Sequence, residues 1–265
     1  MATYSEVRYE SADHIATLTW NRPEARNALT PRMLGEAMQA VQEARADDAV
    51  RVLVITGAGA AFCAGGDTKR MADVVSGSGP VTPEREQVGQ IQELQLLLRR
   101  FPKVLIAAVN GSAYGAGLDL ACAADFRLAA DSARFCEVYV RLGLAPGGGG
   151  AWLLPRIVGL TNALDLVLSG EPIDAATALR MGLVSRVVPA ADLAAATREF
   201  AQRFVLSAPR SVQVAKRTLM NGLEMSLEAS LDFIRPQIAG LRQTEDHKEG
   251  LRALKERRLP RFQGR

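Results

Sequence analysis

Asn110-Gly111-Ser112-Ala113-Tyr114-Gly115-Ala116-Gly117-Leu118-Asp119 is the stretch on which the fold of this chain turns. It follows the apolar run Val104-Leu105-Ile106-Ala107-Ala108-Val109, which reads as a buried strand. It leads into small residues that read as the start of a helix. A strand that passes through glycines into a helix presents backbone N–H groups at the positive end of the helix dipole. Such a turn suits a phosphate, or an oxyanion that develops during a reaction. Asp119 falls one turn inside the helix, so its carboxylate reaches the same region. Donors for negative charge beside a carboxylate point to chemistry that passes through an enolate.

Working outward, Arg51-Val52-Leu53-Val54-Ile55-Thr56 is a second buried-strand run. It passes through Gly57-Ala58-Gly59 into Ala61-Phe62-Cys63-Ala64-Gly65-Gly66-Asp67-Thr68-Lys69. Two glycine turns after two strands aim two N–H groups at one carbonyl oxygen, the usual minimum for holding a thioester enolate or a tetrahedral oxyanion. The same glycines also serve plain tight turns. His14 to Trp20 alternates as a strand, and Thr30 with Pro31 reads as a helix cap and first position. Ser76 to Pro83 is turn-rich and is expected to form a mobile link between a short helix after Asp67 and a helix near 85–100. Further short strands are expected at 126–129 and 184–188. From about Ala190 the pattern is helical, over 193–206, 211–221, 226–240 and 245–257. These runs suggest an α/β core over residues 1–200 and a helical region over 201–265.

Composition narrows the function classes. The chain has 265 residues, 48% of them hydrophobic, enough to bury a sizeable core. A net charge of +3, with acids and bases interspersed and no basic cluster carrying aromatic neighbours, argues against nucleic acid as a partner. Three cysteines without metal spacing and two histidines point to a reduced protein with no structural zinc and no metal in the site. No apolar run reaches membrane-spanning length, and Met1-Ala2-Thr3-Tyr4-Ser5-Glu6 has no signal-peptide core, so a cytoplasmic location without membrane attachment is expected. Other glycine-based sites fit poorly. Ser112 lacks the nucleophile elbow of a serine hydrolase, no Gly-Lys-Ser/Thr follows to make a phosphate loop, and Gly115 to Asp119 breaks the dinucleotide pattern at its last glycine.

Taken together, Phe62-Cys63-Ala64-Gly65-Gly66-Asp67, Asn110-Gly111 and Gly115-Ala116-Gly117-Leu118-Asp119 resemble the enoyl-CoA hydratase/isomerase (crotonase) superfamily. So do Trp20-Asn21-Arg22-Pro23 with Arg26-Asn27-Ala28-Leu29, Gly143-Leu144-Ala145-Pro146 with Gly149-Gly150, Ala178 to Val184, and Lys255 to Arg258 with Pro260 and Phe262. The resemblance spans nearly the whole chain. It implies an α/β fold in which β-β-α units wind into a spiral (crotonase and ClpP share it), with a helical C-terminal trimerisation region and a homotrimer or hexamer. It also implies an acyl-CoA thioester substrate and no separate cofactor, coenzyme A being part of the substrate.

By the same resemblance the oxyanion donors are the amides of Gly66 and Ala116. Ala28, Ala64 and Thr68 offer backbone contacts to the adenine end of coenzyme A, Arg26 and Lys69 lie near its phosphates, and Asp67 belongs to the same binding stretch. Hydratases of the family flank a water with two glutamates. Here the first position is Asp119, as in the dienoyl-CoA isomerase branch, and the second aligns with Tyr139. Phenol ionises near pH 10 and is a poor base at neutrality. Glu137 lies two residues earlier, on the same face as Tyr139 if 135–140 is extended. The aspartate that some family isomerases carry just after the proline is replaced by Gly147, in the run Gly147 to Gly150. Asp119, Glu137 and Tyr139 are therefore the catalytic candidates. Hydration of a 2-enoyl-CoA is the leading expectation. Double-bond isomerisation, thioester hydrolysis, or thioester binding with little turnover stay open.

Overall fold

Each glycine turn carries the chain from one sheet into another. The computed structural model describes residues 4–77 and 84–265, so the 78–83 part of the expected mobile link lies outside the described residues. In chain order the strands are β1 (Val7–Ala12), β2 (Ile15–Trp20), β3 (Val52–Gly57), β4 (Ala61–Cys63), β5 (Val104–Val109), β6 (Ser112–Tyr114), β7 (Phe126–Ala130), β8 (Arg134–Cys136), β9 (Ile173–Asp174) and β10 (Arg186–Val188). The helices are α1 (Pro31–Ala46), α2 (Thr68–Val75), α3 (Glu84–Arg99), α4 (Ala116–Cys122), α5 (Gly150–Val158), α6 (Leu160–Ser169), α7 (Ala175–Arg180), α8 (Leu193–Val205), α9 (Pro209–Gly222), α10 (Leu227–Arg242) and α11 (Glu245–Glu256).

The larger sheet has the order β1-β2-β3-β5-β7-β10 and the smaller one β4-β6-β8-β9. Thus β3 and β4, β5 and β6, and β7 and β8 are successive steps from the first sheet to the second. Within each sheet these strands are parallel neighbours, with Val52 opposite Val104 in one and Ala113 opposite Phe135 in the other. This is the expected spiral of β-β-α units.

The unbroken apolar runs have a physical cause: the central strands of the larger sheet are covered on both faces. Leu53, Ile55, Leu105, Ala107 and Val109 face the core shared with Phe62, Leu94, Leu118 and Phe135. Val52, Val54, Val104, Ile106 and Ala108 face the other way, onto Leu193, Phe200 and Val205 of α8. Residue 200 therefore lies inside a helix that packs on the sheet. At the N-terminal side, Thr30 caps α1 by accepting from the Met33 amide at 3.0 Å, with Pro31 at the first helical position. Among the described residues no helix is long and apolar enough to cross a membrane, and no group of three or more His, Cys, Asp or Glu is placed to hold a metal ion.

Candidate active site

Two turns, β4 to α2 and β6 to α4, abut. Gly65 has φ +85 and Gly115 φ +50, backbone that side chains rarely adopt. A Cβ at Gly65 would stand 2.5 Å from the Tyr114 carbonyl oxygen and 3.3 Å from the Ala116 nitrogen, so the two turns approach as closely as backbone allows. Ala116 heads α4, where N–H groups lack intrahelical partners. Gly66 follows directly on Gly65, with the tip of Met71 against it.

Side-chain amides hold the first turn in place. Asn27 donates to the carbonyls of Ala58 (2.9 Å) and Ala61 (2.8 Å) and accepts from the Arg22 amide. Asn110 accepts from the Gly57 amide at 3.0 Å and donates to the Gly59 carbonyl at 2.9 Å. Both asparagines stand in the motifs read from the sequence, but their positioning role was not legible there.

The residues expected to bind coenzyme A form one rim. Ala64 donates its amide to the Arg26 carbonyl (3.0 Å), and Leu29 donates to the Gly65 carbonyl (2.8 Å). Ala28 is buried in this ladder, with its carbonyl accepting from the Arg22 guanidinium. Arg26, Thr68 and Lys69 are exposed. The Asp67 carboxylate accepts from the Arg70 amide at 3.2 Å, in the manner of a helix cap, and pairs with Arg22 at 3.7 Å.

Asp119, Glu137 and Tyr139 come together behind the second turn, although not by the expected route. The chain is not extended over 135–140. β6 ends at Tyr114, so β8 has no partner beyond Cys136 and the chain turns into a 3-10 helix over Val138–Leu142. Gly115 donates its amide to the Cys136 carbonyl at 2.8 Å, which brings Glu137 up to α4. The Tyr139 hydroxyl donates to Asp119 Oδ2 at 2.6 Å, and the Gly148 amide donates to the same oxygen at 3.1 Å.

Asp119 and Glu137 are wholly buried, whereas Tyr139 is partly exposed. Asp119 Oδ1 and both carboxyl oxygens of Glu137 have no hydrogen-bond partner. A Cβ at Gly150 would lie 2.0 Å from Asp119 Oδ1 and 3.1 Å from Glu137 Oε1, so both oxygens occupy the space beside that glycine. Gln95 of α3 donates to the Asp119 carbonyl at 3.2 Å. The sequence signal for this packing was the run Gly147 to Gly150, legible as the loss of an acid but not as room made for two carboxyls.

Burial raises the Asp119 carboxyl to about 6, against the Tyr139 hydroxyl and the Gly148 and Gly150 amides, which pull it down. Burial and then the charge of Asp119 push Glu137 up to about 9. Burial and the same charge raise the Tyr139 phenol as well. Burial and their mutual charge therefore both oppose two ionised carboxylates side by side here. A separate cavity of about 800 Å³ between α3, α5, α9 and α10 is lined by Arg99, Trp152, Lys216 and Arg217 among others, and by none of these residues.

An amide-rimmed turn beside a proton-holding carboxyl pair is equipped to polarise a carbonyl and move a proton next to it. The enoyl-CoA hydratase/isomerase family model matches residues 10–265. The (E)-benzylidenesuccinyl-CoA hydratase of Thauera aromatica is 38% identical, covering 97% of this chain and 99% of that protein. The trans-2-decenoyl-[acyl-carrier-protein] isomerase of Streptococcus mutans is 32% identical over 99% of both. The crystal structure of an enoyl-CoA hydratase from Bacillus anthracis superposes with a TM-score of 0.93 at 33% identity, covering 98% of this chain and all of that one. Motifs, sheet topology and relatives agree, and the chain belongs to the enoyl-CoA hydratase/isomerase family.

Proposed function

We propose that this protein adds water to a 2-enoyl-CoA thioester. The amides of Gly66 and Ala116 hold the thioester oxygen as the enolate forms, and Asp119 with its neighbours moves the proton. The observation that supports this most is the approach of the two turns, Gly65 against Ala116, one helical turn from a buried carboxylate. Losing one oxyanion donor of this kind costs roughly 3–4 kcal/mol of transition-state stabilisation. The rim of Ala28, Ala64, Asp67 and Thr68 takes the coenzyme A moiety, with Arg26 and Lys69 facing its phosphates. No resident cofactor is needed for this reaction, because the thioester supplies the acidity of its own α-position.

Isomerisation is the second reading. The Asp119 carboxylate already accepts from Tyr139 and Gly148, so the site favours one continuous proton path over two separate bases. Residues 201–265 are proposed to join subunits into a trimer or a pair of trimers, supported by exposed Leu219 on α9, Leu223 just after it, and Leu227 and Leu231 on α10. A cytoplasmic location fits a substrate linked to coenzyme A.

The test is mass spectrometry of an acyl- and enoyl-CoA panel incubated with the protein in deuterated water. Gain of one water is the expected result. Deuterium uptake without water favours isomerisation, and loss of the acyl group shows hydrolysis. Asp119→Asn is expected to lower turnover by about 10²–10⁴ with thioester binding retained. Full turnover in that variant refutes the assignment.

A further inference from the structure

We propose that the Tyr139 hydroxyl is the group that touches the substrate, and that it passes protons between substrate and the buried Asp119 carboxylate, with the Glu137 carboxyl buried beside it. This deepens the reading above and rests on it.

Three observations carry it. First, access: of the three side chains only Tyr139 is partly exposed, while Asp119 and Glu137 are sealed. Second, placement: the Tyr139 ring lies against Gly115, with ring carbons 3.6 and 3.7 Å from where a Cβ would stand there, and Gly115 precedes the Ala116 amide. The phenol thus lies between the oxyanion turn and the carboxyl pair. Third, saturation: Asp119 Oδ2 already accepts from the phenol and from Gly148, so its two acceptor positions are taken by protein donors, one of them the phenol. The remaining three carboxyl oxygens are buried without partners, and a single proton between Asp119 Oδ1 and one Glu137 oxygen relieves two of them.

The proton balance closes for hydration. As a water oxygen bonds to C3, one water proton passes to the Tyr139 oxygen and the phenol proton passes to Asp119 Oδ2. The C2–C3 π pair becomes the thioester enolate. The enolate then takes the phenol proton at C2, and Asp119 returns its proton to the phenol oxygen. The carboxyl pair cycles between one negative charge and none, and never becomes a buried dianion. For isomerisation the same path takes a proton from one carbon and returns it to another. Among the described residues, three thiols also face the cluster. Burial pushes Cys63 and Cys122 up to about 12 and raises Cys136, so they stay neutral. Arg127 near Cys122 donates to the Leu183 and Ala124 carbonyls.

The experiment measures kcat and KM on the panel substrate that turns over, with pH profiles, for wild type, Tyr139→Phe, Asp119→Asn and Glu137→Gln. Circular dichroism confirms folding, since phenylalanine removes only the hydroxyl. Tyr139→Phe is expected to lower kcat about 10²-fold or more with KM within about threefold, and Glu137→Gln to lower kcat and abolish its alkaline limb. If Tyr139→Phe keeps a third or more of wild-type kcat while Asp119→Asn is inactive, Asp119 meets the substrate directly and the inference falls while the function stands. A wild-type protein inert on the whole panel overturns both.

Discussion

Glu137 brings a carboxyl group into a place where neither of its oxygens has a hydrogen-bond partner, and so it makes the fold sensitive to pH. In the unfolded chain a glutamate ionises near pH 4.3, whereas in the folded protein Glu137 holds its proton to about 9. Between those values the folded state binds the extra proton, so this group's contribution to stability falls as pH rises. It is fully favourable only below the unfolded value, and the loss is complete near the folded one. Glu137→Gln removes the titration and keeps an N–H donor for Asp119. The variant is expected to be more stable than wild type at pH 8 by on the order of 2 kcal/mol, about 4–8 °C in Tm. The difference should shrink toward pH 5. Scanning calorimetry across that range checks it, and parallel pH profiles for the two proteins would refute it.

At the scale of elements, the N-terminus of α5 and the loop before it are shaped around the carboxyl pair. Gly150→Ala forces a Cβ to within 2.0 Å of Asp119 Oδ1. The expected cost is about 1–3 kcal/mol of stability from overpacking, and displacing Asp119 by an ångström costs about 10²-fold in turnover. Gly147→Ala is the contrasting variant. Among the described residues its Cβ would meet Val88 Cγ1 at 3.8 Å and the Ala145 carbonyl oxygen at 4.0 Å, both ordinary contacts, so Tm and turnover should hold. Thermal denaturation and initial rates on both variants decide the matter, and equal behaviour of the two would show that the glycine run does not shape the site. Position 147 thus takes a Cβ at ordinary contact distance, while 148 and 150 wall the site.

For the whole molecule, the helical end leaves apolar side chains in solvent that one chain does not cover. Leu227 and Leu231 lie at i and i+4 on α10, and Leu160, Leu164 and Leu168 line one face of α6. Patches of this kind mark subunit contacts more often than bare surface. Light scattering is expected to give the mass of three or six chains, and Leu227→Glu with Leu231→Glu to lower it. A monomeric mass for the wild-type protein would refute the assembly.

The sequence by itself determined the strand–glycine–helix turns, the apolar strands, the helical end and the place of Asp119. All of these are local: a few neighbouring residues set the backbone path, and unbroken apolar runs mark strands buried on both faces. It also carried the family, because the motifs are short contiguous runs that can be read residue by residue. Only the tertiary structure decided which groups stand beside Asp119. Tyr139 reaches it because β8 runs out of partner after Cys136 and the chain turns, and Gln95, Gly148 and Gly150 arrive from other elements. Spacing cannot show this, since a carboxyl's proton depends on what surrounds it in space, on burial and on the charge beside it.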